Sequence, residues 1–415
     1  MKQTIRMLFA ALLIVSATSV YAQDSSLFKV TELTENLYLL TTNQGEYTTN
    51  TIALVGDDGI LLVDTQTADE AEELKKIVDS FGKGVPKYII NTHRHIEHIG
   101  GNAIFGKEPV IIAHELVPAK LKSGLYLFNE FPDATYPDIT LSDSLTLYFN
   151  GEKIRIIALA GSHDDNEIIV HFTKSKVVHL SSLTNGFNFP SVDSDGDALR
   201  FDELVARAID LLPQDVVIVS GHNDVGSYND LLAYHDMLVK TEEAVRRGLP
   251  EGKDLATLQK EKVLGEWESY AGSYVSVDEW TKYLFEGLQG KKKTKKSVYE
   301  PLYYAYKEGG PEAALEKYEE LKRDHSDEYT IDDVSLAIIG YVLAKRSKYT
   351  SAMPFLEASL EQYPDGPYNW LANYFLAVAH KERGNKQQAI KYCEKTLELN
   401  PGQKDAQALL EELKK

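Results

Sequence analysis

From Phe28 onward the chain alternates short apolar runs with turn residues. Leu37–Leu40 and Thr51–Val55 read as strands, and Asp57-Asp58-Gly59 turns the chain into the run Ile60–Val63. Ala71, Leu74, Ile77, Val78 and Phe81 recur at helical spacing and predict a helix over 68–81. Pro86–Ile90 and Val110–Ile112 are again strand-like, and 115–122 reads as a helix. Residues 123–140 break the pattern: Tyr126, Phe128, Phe131 and Tyr136 stand among Pro132, Pro137 and several acids. Such a loop either borders a substrate site or packs its aromatics on the domain surface. Strands resume at 145–149, Asn150-Gly151 supplies a hairpin turn into 154–157, and 168–170 and 177–180 continue the series. A helix over 201–212 precedes the strand Val216–Val219, after which helices are predicted over 229–247, 255–264 and 277–288. Strands and helices interleave twice, which implies two sheet layers with helices outside them.

Past residue 290 the pattern changes. Gly287–Ser297 holds five lysines (Lys291, Lys292, Lys293, Lys295 and Lys296), the composition of a solvated linker or, alternatively, of a basic docking patch. Beyond it the chain is helical and repetitive: Gly309, Ala314 and Tyr318; then Gly340, Ala352, Leu356 and Pro364; then Ala377, Gly384, Ala389, Cys393 and Pro401. Small residues let two helices cross closely, and a proline stops the second helix of a pair. This order resembles three tetratricopeptide repeats, with 403–415 as a capping helix. The chain therefore divides into residues 1–22, a mixed α/β unit over 23–290, a linker over 291–298 and a helical-repeat unit over 299–415.

Composition narrows the setting. Lys2 and Arg6, the apolar stretch Met7–Val20 and the small-residue site Val20-Tyr21-Ala22 have the form of a cleaved signal peptide, which predicts an exported, periplasmic or extracellular protein with no membrane span in its mature chain. The net charge of −19, made more negative by losing Lys2 and Arg6, excludes nucleic acid as a natural partner. The single cysteine, Cys393, cannot form an internal disulfide and falls on a packing position.

The chemistry concentrates in Asn91–Gly101. Three of the eleven histidines, His93, His95 and His98, lie within six residues, with Glu97 among them, immediately after a predicted buried strand. Imidazoles gathered at a strand end are what a zinc-like cation requires. Two later strands run into histidines in the same way: 156–159 leads to His163, and 217–219 leads to His222. His171 and His179 fall inside strands, while His114, His235, His325 and His380 sit in or beside helices; these six are read as structural.

The ordered set His93-x-His95-x-Glu97-His98, Gly161-x-His163 and Gly221-His222 resembles the metallo-β-lactamase superfamily over about residues 28–290. The resemblance implies an αββα sandwich with metal at the edge between its sheets. It also implies that His93, His95 and His163 hold a first zinc, with Glu97, His98 and His222 around a second. Two residues depart from the family pattern: Glu97 stands where the family has Asp, and Ser181-Ser182 align with a Gly-Asp pair whose carboxylate bridges the metals. Three imidazoles suffice for one zinc with an open position. A neutral Ser182 cannot supply the bridging charge, so one good zinc site beside a weakened second is expected, with Ser182 not a ligand. Glu97 could serve as a general base, and Asp64, Asp164 and Asp165 as partners that orient the imidazoles. The activity implied is attack of zinc-bound hydroxide on an ester, lactone, amide or thioester carbonyl of a small-molecule substrate. The alternative is a catalytically degenerate binding or scaffolding protein that presents a protein- or peptide-binding surface on its repeats.

Overall fold

The computed structural model describes residues 27–42, 48–122, 131–193, 195–272, 275–290, 296–332, 334–364, 366 and 368–415. The signal-like segment 1–22, most of the lysine run, and Tyr126 and Phe128 of the aromatic stretch lie outside the described residues.

Among the described residues thirteen strands build the two large sheets. The first takes its strands in chain order: β1 (Phe28–Thr34), β2 (Leu37–Thr42), β3 (Asn50–Gly56), β4 (Gly59–Val63), β5 (Tyr88–Ile90), β6 (Val110–His114) and β7 (Ile139–Leu141). The pairings are antiparallel as far as β4 and parallel from β4 to β7. The connections carry α1 (Ala68–Ser80), the single turn α2 (Ile96–Ile99) and α3 (Val117–Lys122). The second sheet has β8 (Ser144–Phe149), β9 (Glu152–Ala158), β10 (Ile168–Phe172), β11 (Val177–His179), β12 (Val217–Val219) and β13 (Val225–Ser227) in the order β13-β12-β11-β10-β9-β8. Its outer face carries α4 (Arg200–Leu211), α5 (Tyr228–Gly248), α6 (Leu255–Lys260) and α7 (Val277–Leu288).

Strand alternation explains the layers. Leu61 and Val63 of β4 point between the sheets toward Ile156, Ile168 and Val170, whereas Ile60 and Leu62 point outward to Leu74, Ile77 and Val78 of α1. In the second sheet Ile157, Ile169, Val178 and Ile218 pack instead on Phe201, Leu204, Tyr234 and Trp280 of the helices. Central strands buried on both faces read as continuous apolar runs, as 60–63 and 168–170 do. The result is the αββα sandwich that the sequence led one to expect.

Three details differ from the sequence reading. Ile139–Leu141 is not loop but edge strand β7, pairing with Ile112–His114; three residues between prolines and acids are too few to show a period. The helix at 255 ends at Lys260, because Lys262 adopts a left-handed backbone with φ of 50°. Strand β13 is short and half exposed, and gives no apolar signal.

The C-terminal helices are α8 (Tyr299–Asp324), α9 (Ser335–Lys345), α10 (Tyr349–Gln362), α11 (Asn369–Glu382), α12 (Lys386–Leu399) and α13 (Lys404–Lys414). Gly310, at φ of 75°, breaks α8 into two halves, with Pro311 opening the second. Three helical pairs and a cap follow the expected repeats. Gly340 marks a close crossing, since a Cβ there would stand 2.5 Å from Leu356 Cδ2. Cys393 is buried between Ala389 and Leu409, and burial pushes its thiol up to about 11, as suits a packing residue.

Candidate metal centre

All five histidines singled out from sequence reach one rim of the sandwich, where β5, β9 and β12 end. His93, His95 and His98 follow β5, His163 follows β9, and His222 follows β12. The turn after β5 is drawn tight by Asn91, whose side chain donates to His98 O and to Asn102 Oδ1, both at 3.1 Å. Gly100 and Gly101 let that turn lie against the start of α1. A Cβ on Gly101 would collide with the Thr65 carbonyl, and one on Gly100 would come within 2.9 Å of Ala68 N.

Among the described residues two donor sets bring together histidines from separate strand ends. His93, His95 and His163 offer ligand atoms within 4.8 Å of one another, and so do Glu97, His98 and His222. In the first set His163 Nε2 lies 3.3 Å from His95 Nδ1, and in the second His98 Nε2 lies 3.3 Å from His222 Nε2. The edge of a tetrahedron with metal–nitrogen bonds of about 2.0–2.1 Å is roughly 3.3 Å. His93 Nε2 is buried without a hydrogen-bond partner. The Glu97 carboxylate faces both sets, with Oε1 3.8 Å from His95 Nδ1 and 4.0 Å from His222 Nε2.

The opposite nitrogen of every ring is anchored, which fixes both tautomer and aim. His98 Nδ1–H donates to Asp64 Oδ2 at 2.7 Å, His222 Nδ1–H to Thr48 O at 3.1 Å and His163 Nδ1–H to Ser191 O at 3.0 Å. His95 Nε2–H donates to Asp193 Oδ2 at 3.0 Å. His93 Nδ1 stands 3.2 Å from both Thr92 Oγ1 and Ser181 Oγ. Thr92 Oγ1 in turn donates to Asp64 Oδ2 at 2.8 Å, so one buried carboxylate governs a histidine of each set. Asp64 is held at φ of 66°, a backbone state that non-glycine residues enter at a cost and that recurs at functional sites.

Electrostatics divide the cluster. Burial, with neighbouring imidazoles adding to it, drives His93 well below the ordinary histidine value and His163 down to about 3. Burial and His98 bring His222 down to about 4. Burial would lower His95 and His98 as well, but Asp193 and Asp64 outweigh it and raise both. Burial alone would raise Glu97; His95, His98 and His222 hold it at about 2, and it is ionised. Imidazole nitrogens turned toward one another beside a carboxylate are a zinc-type donor set.

Sequence reasoning missed the network behind His95. Arg94 is buried, its Nη2 lying 3.0 Å from Asp164 Oδ2 and 2.6 Å from Asp193 Oδ2. Lys120 Nζ bridges Asp165 at 2.9 Å and Asp195 at 2.6 Å. Asp164 thus meets His95 only at 3.6 Å and chiefly holds Arg94, while Asp165 turns to Lys120 and Asn166 instead of an imidazole. An arginine between two ligand-spaced histidines was the available signal. At the expected bridging position Ser181 Oγ reaches His93, and Ser182 Oγ is buried without a partner and belongs to neither donor set. Of the aromatic stretch, Phe131 and Tyr136 pack with Ile96 and Ile99 of α2, immediately beside the cluster.

Residues 45–222 match the family model of the metallo-beta-lactamase superfamily. Those residues of the sandwich form a metallo-beta-lactamase-superfamily domain. Residues 343–413 match a tetratricopeptide repeat, an architecture that stacks helices into surfaces for protein contacts. Among solved structures, the metallo-beta-lactamase from Pontibacter korlensis is similar at 19% identity and a TM-score of 0.45, covering 51% of this chain and 98% of its own. The DIM-1 metallo-beta-lactamase aligns at 17% identity and a TM-score of 0.43, over 52% and 98% of the two chains. The stereoselective inverting sec-alkylsulfatase Pisa1 from Pseudomonas sp. is similar over 90% of this chain and 65% of its own, at 14% identity and a TM-score of 0.51. These likenesses concern the fold. No curated protein matches the chain. Among the described residues no helix is long and apolar enough to cross a membrane.

Proposed function

We propose that this chain is a zinc-dependent metallohydrolase, exported by its N-terminal segment, whose first metal is held by His93, His95 and His163. The observation that carries the reading is the convergence of imidazole nitrogens, 3.3 Å apart within each set, while their opposite nitrogens are anchored. Nitrogens at that distance either share a proton or flank a metal ion, and the spacing matches the edge of a tetrahedral zinc site. A zinc held there would act as a Lewis acid on a substrate oxygen and bring the pKa of a water to about 7.

The chain's own residues would do the rest. Asp193 and Asp64 hold His95 and His98 so that Nδ1 of the one and Nε2 of the other face the donor sets. Glu97, ionised and facing both sets, carries negative charge between them and can accept a hydrogen bond from a water placed there. His98, His222 and Glu97 form a second set without a bridging carboxylate, since Ser181 and Ser182 occupy that strand end, and we assign it a weaker metal. The substrate we propose is a small ester, lactone, amide or thioester; the alkylsulfatase likeness adds sulfate esters to the classes worth assaying.

The Ser181-Ser182 pair favours a second reading, in which turnover is lost and the domain serves with its repeats as a binding module. Metal analysis joined to a hydrolysis panel of esters, lactones, lactams, thioesters and alkyl sulfates separates the two. Zinc-dependent turnover abolished by His93→Ala supports the enzyme. A chain without zinc, whose activity on the panel is unchanged by His93→Ala, would sink it.

A further inference from the structure

Glu167 belongs to neither donor set, yet it is only 1% exposed. It immediately precedes β10, where Ile168 and Val170 face the opposite sheet and Ile169 faces the helices. Alternation therefore puts the Glu167 side chain with Ile169, in the layer beneath α5. Its Oε2 lies 3.3 Å from Ser162 Oγ, while Oε1 is buried without a hydrogen-bond partner. Ser181 also faces the carboxyl, and burial, with Asp164 next in effect, pushes the acid up to about 8, so it holds its proton at neutral pH. A carboxyl in an apolar layer is costly and contributes nothing to packing that leucine would not.

Both serines lead to the first donor set. Ser162 directly precedes His163, and Ser181 Oγ lies 3.2 Å from His93 Nδ1. Ser181 itself is set at φ of 55°, with its N–H donating to His179 Nδ1 at 3.2 Å. Glu167 is thus the one acidic side chain that faces a serine of the His163 loop and a serine of the β11 turn together, among the described residues with printed contacts.

We propose that Glu167 is a positioning residue for the three-histidine set: through Ser162 and Ser181 it fixes His163 and His93 so that their Nε2 atoms stay aimed at one cation. The inference rests on the metal-site reading. It gives the Ser181-Ser182 turn a role, holding a ligand histidine from behind.

The test is zinc affinity of the full-length chain, measured by competition with a chromophoric chelator, alongside the absorption spectrum of the cobalt-substituted protein. Glu167→Leu and Ser181→Ala should each weaken zinc binding by roughly 10–100-fold and alter the cobalt spectrum. Glu167→Gln, which keeps a donor and an acceptor at the same place, should remain within a few-fold of native. Affinity of Glu167→Leu within twofold of native would overturn the proposal while leaving the metal site standing. Should Glu167→Leu fail to fold, Ser181→Ala decides: weakened affinity supports the proposal and native affinity overturns it. A native chain that binds no zinc overturns this inference and the metal-site reading together.

Discussion

Asp193 Oδ2 accepts the Nε2–H of His95 at 3.0 Å and is itself gripped by Arg94 at 2.6 Å. The contact joins residues 98 positions apart and decides which nitrogen of His95 faces His163. Asp193→Ala should therefore lower zinc affinity about 10–100-fold. Asp193→Asn, which can still accept from the ring, should fall between native and Ala. Chelator competition measures both, and affinities equal to native in the two variants would remove Asp193 from the site.

Restoring the family carboxylates should rebuild the second metal. In Glu97→Asp with Ser182→Asp, a shorter acid and a buried anion at the β11 turn supply charge that the Ser182 hydroxyl does not. Metal content should rise toward two per chain, with faster turnover of whichever substrate the native protein hydrolyses. Unchanged stoichiometry would mean that the β11 turn does not present position 182 to the donor sets.

Much of this was legible in the sequence because its signals are local. A strand that runs into a loop histidine declares both the strand and the donor, as β5, β9 and β12 do at His93, His163 and His222, whereas His114 and His179, which lie within β6 and β11, join neither set. The buried runs of β4 and β10 and the spacing of α1 are equally self-contained. What stayed hidden depends on pairings far apart in sequence. Arg94 with Asp164 and Asp193, Lys120 with Asp195, and Glu167 with Ser181 carry no spacing rule, since charged residues of these kinds usually face solvent. Asp165 looked like an imidazole partner for the same reason, its neighbour Lys120 being invisible until the chain folds.

Gly101 should tolerate no side chain. A Cβ there runs into the Thr65 carbonyl and stands 2.5 Å from Ala71 Cβ, so Gly101→Ala must push the histidine turn away from α1. Thermal unfolding should show a loss of about 1–3 kcal/mol, and zinc affinity should fall with it because the turn carries His98. Native stability and affinity in this variant would contradict the close packing.

His171 sets an acid limit away from the metal centre. It is 4% exposed on β10 with neither ring nitrogen hydrogen-bonded, and burial, aided by Arg155, lowers it to about 4. The unfolded chain then binds a proton below about 6.5 that the folded chain refuses until about 4. Stability from this residue is complete above about 6.5 and is lost as pH falls through that window. His171→Leu should flatten the decline between pH 6.5 and 4, by up to about 3 kcal/mol at its lower end. An unchanged pH profile in denaturant melts would show that the ring is already solvated.

The most direct test of the metal-centre reading is the zinc content of the purified, dialysed full-length protein beside that of His163→Ala. The arrangement of His93, His95 and His163 predicts at least one zinc per native chain and less than about a tenth of that in the variant, an expectation from losing one of three protein ligands. A native chain free of metal, or a His163→Ala chain that keeps the native zinc content, would contradict it.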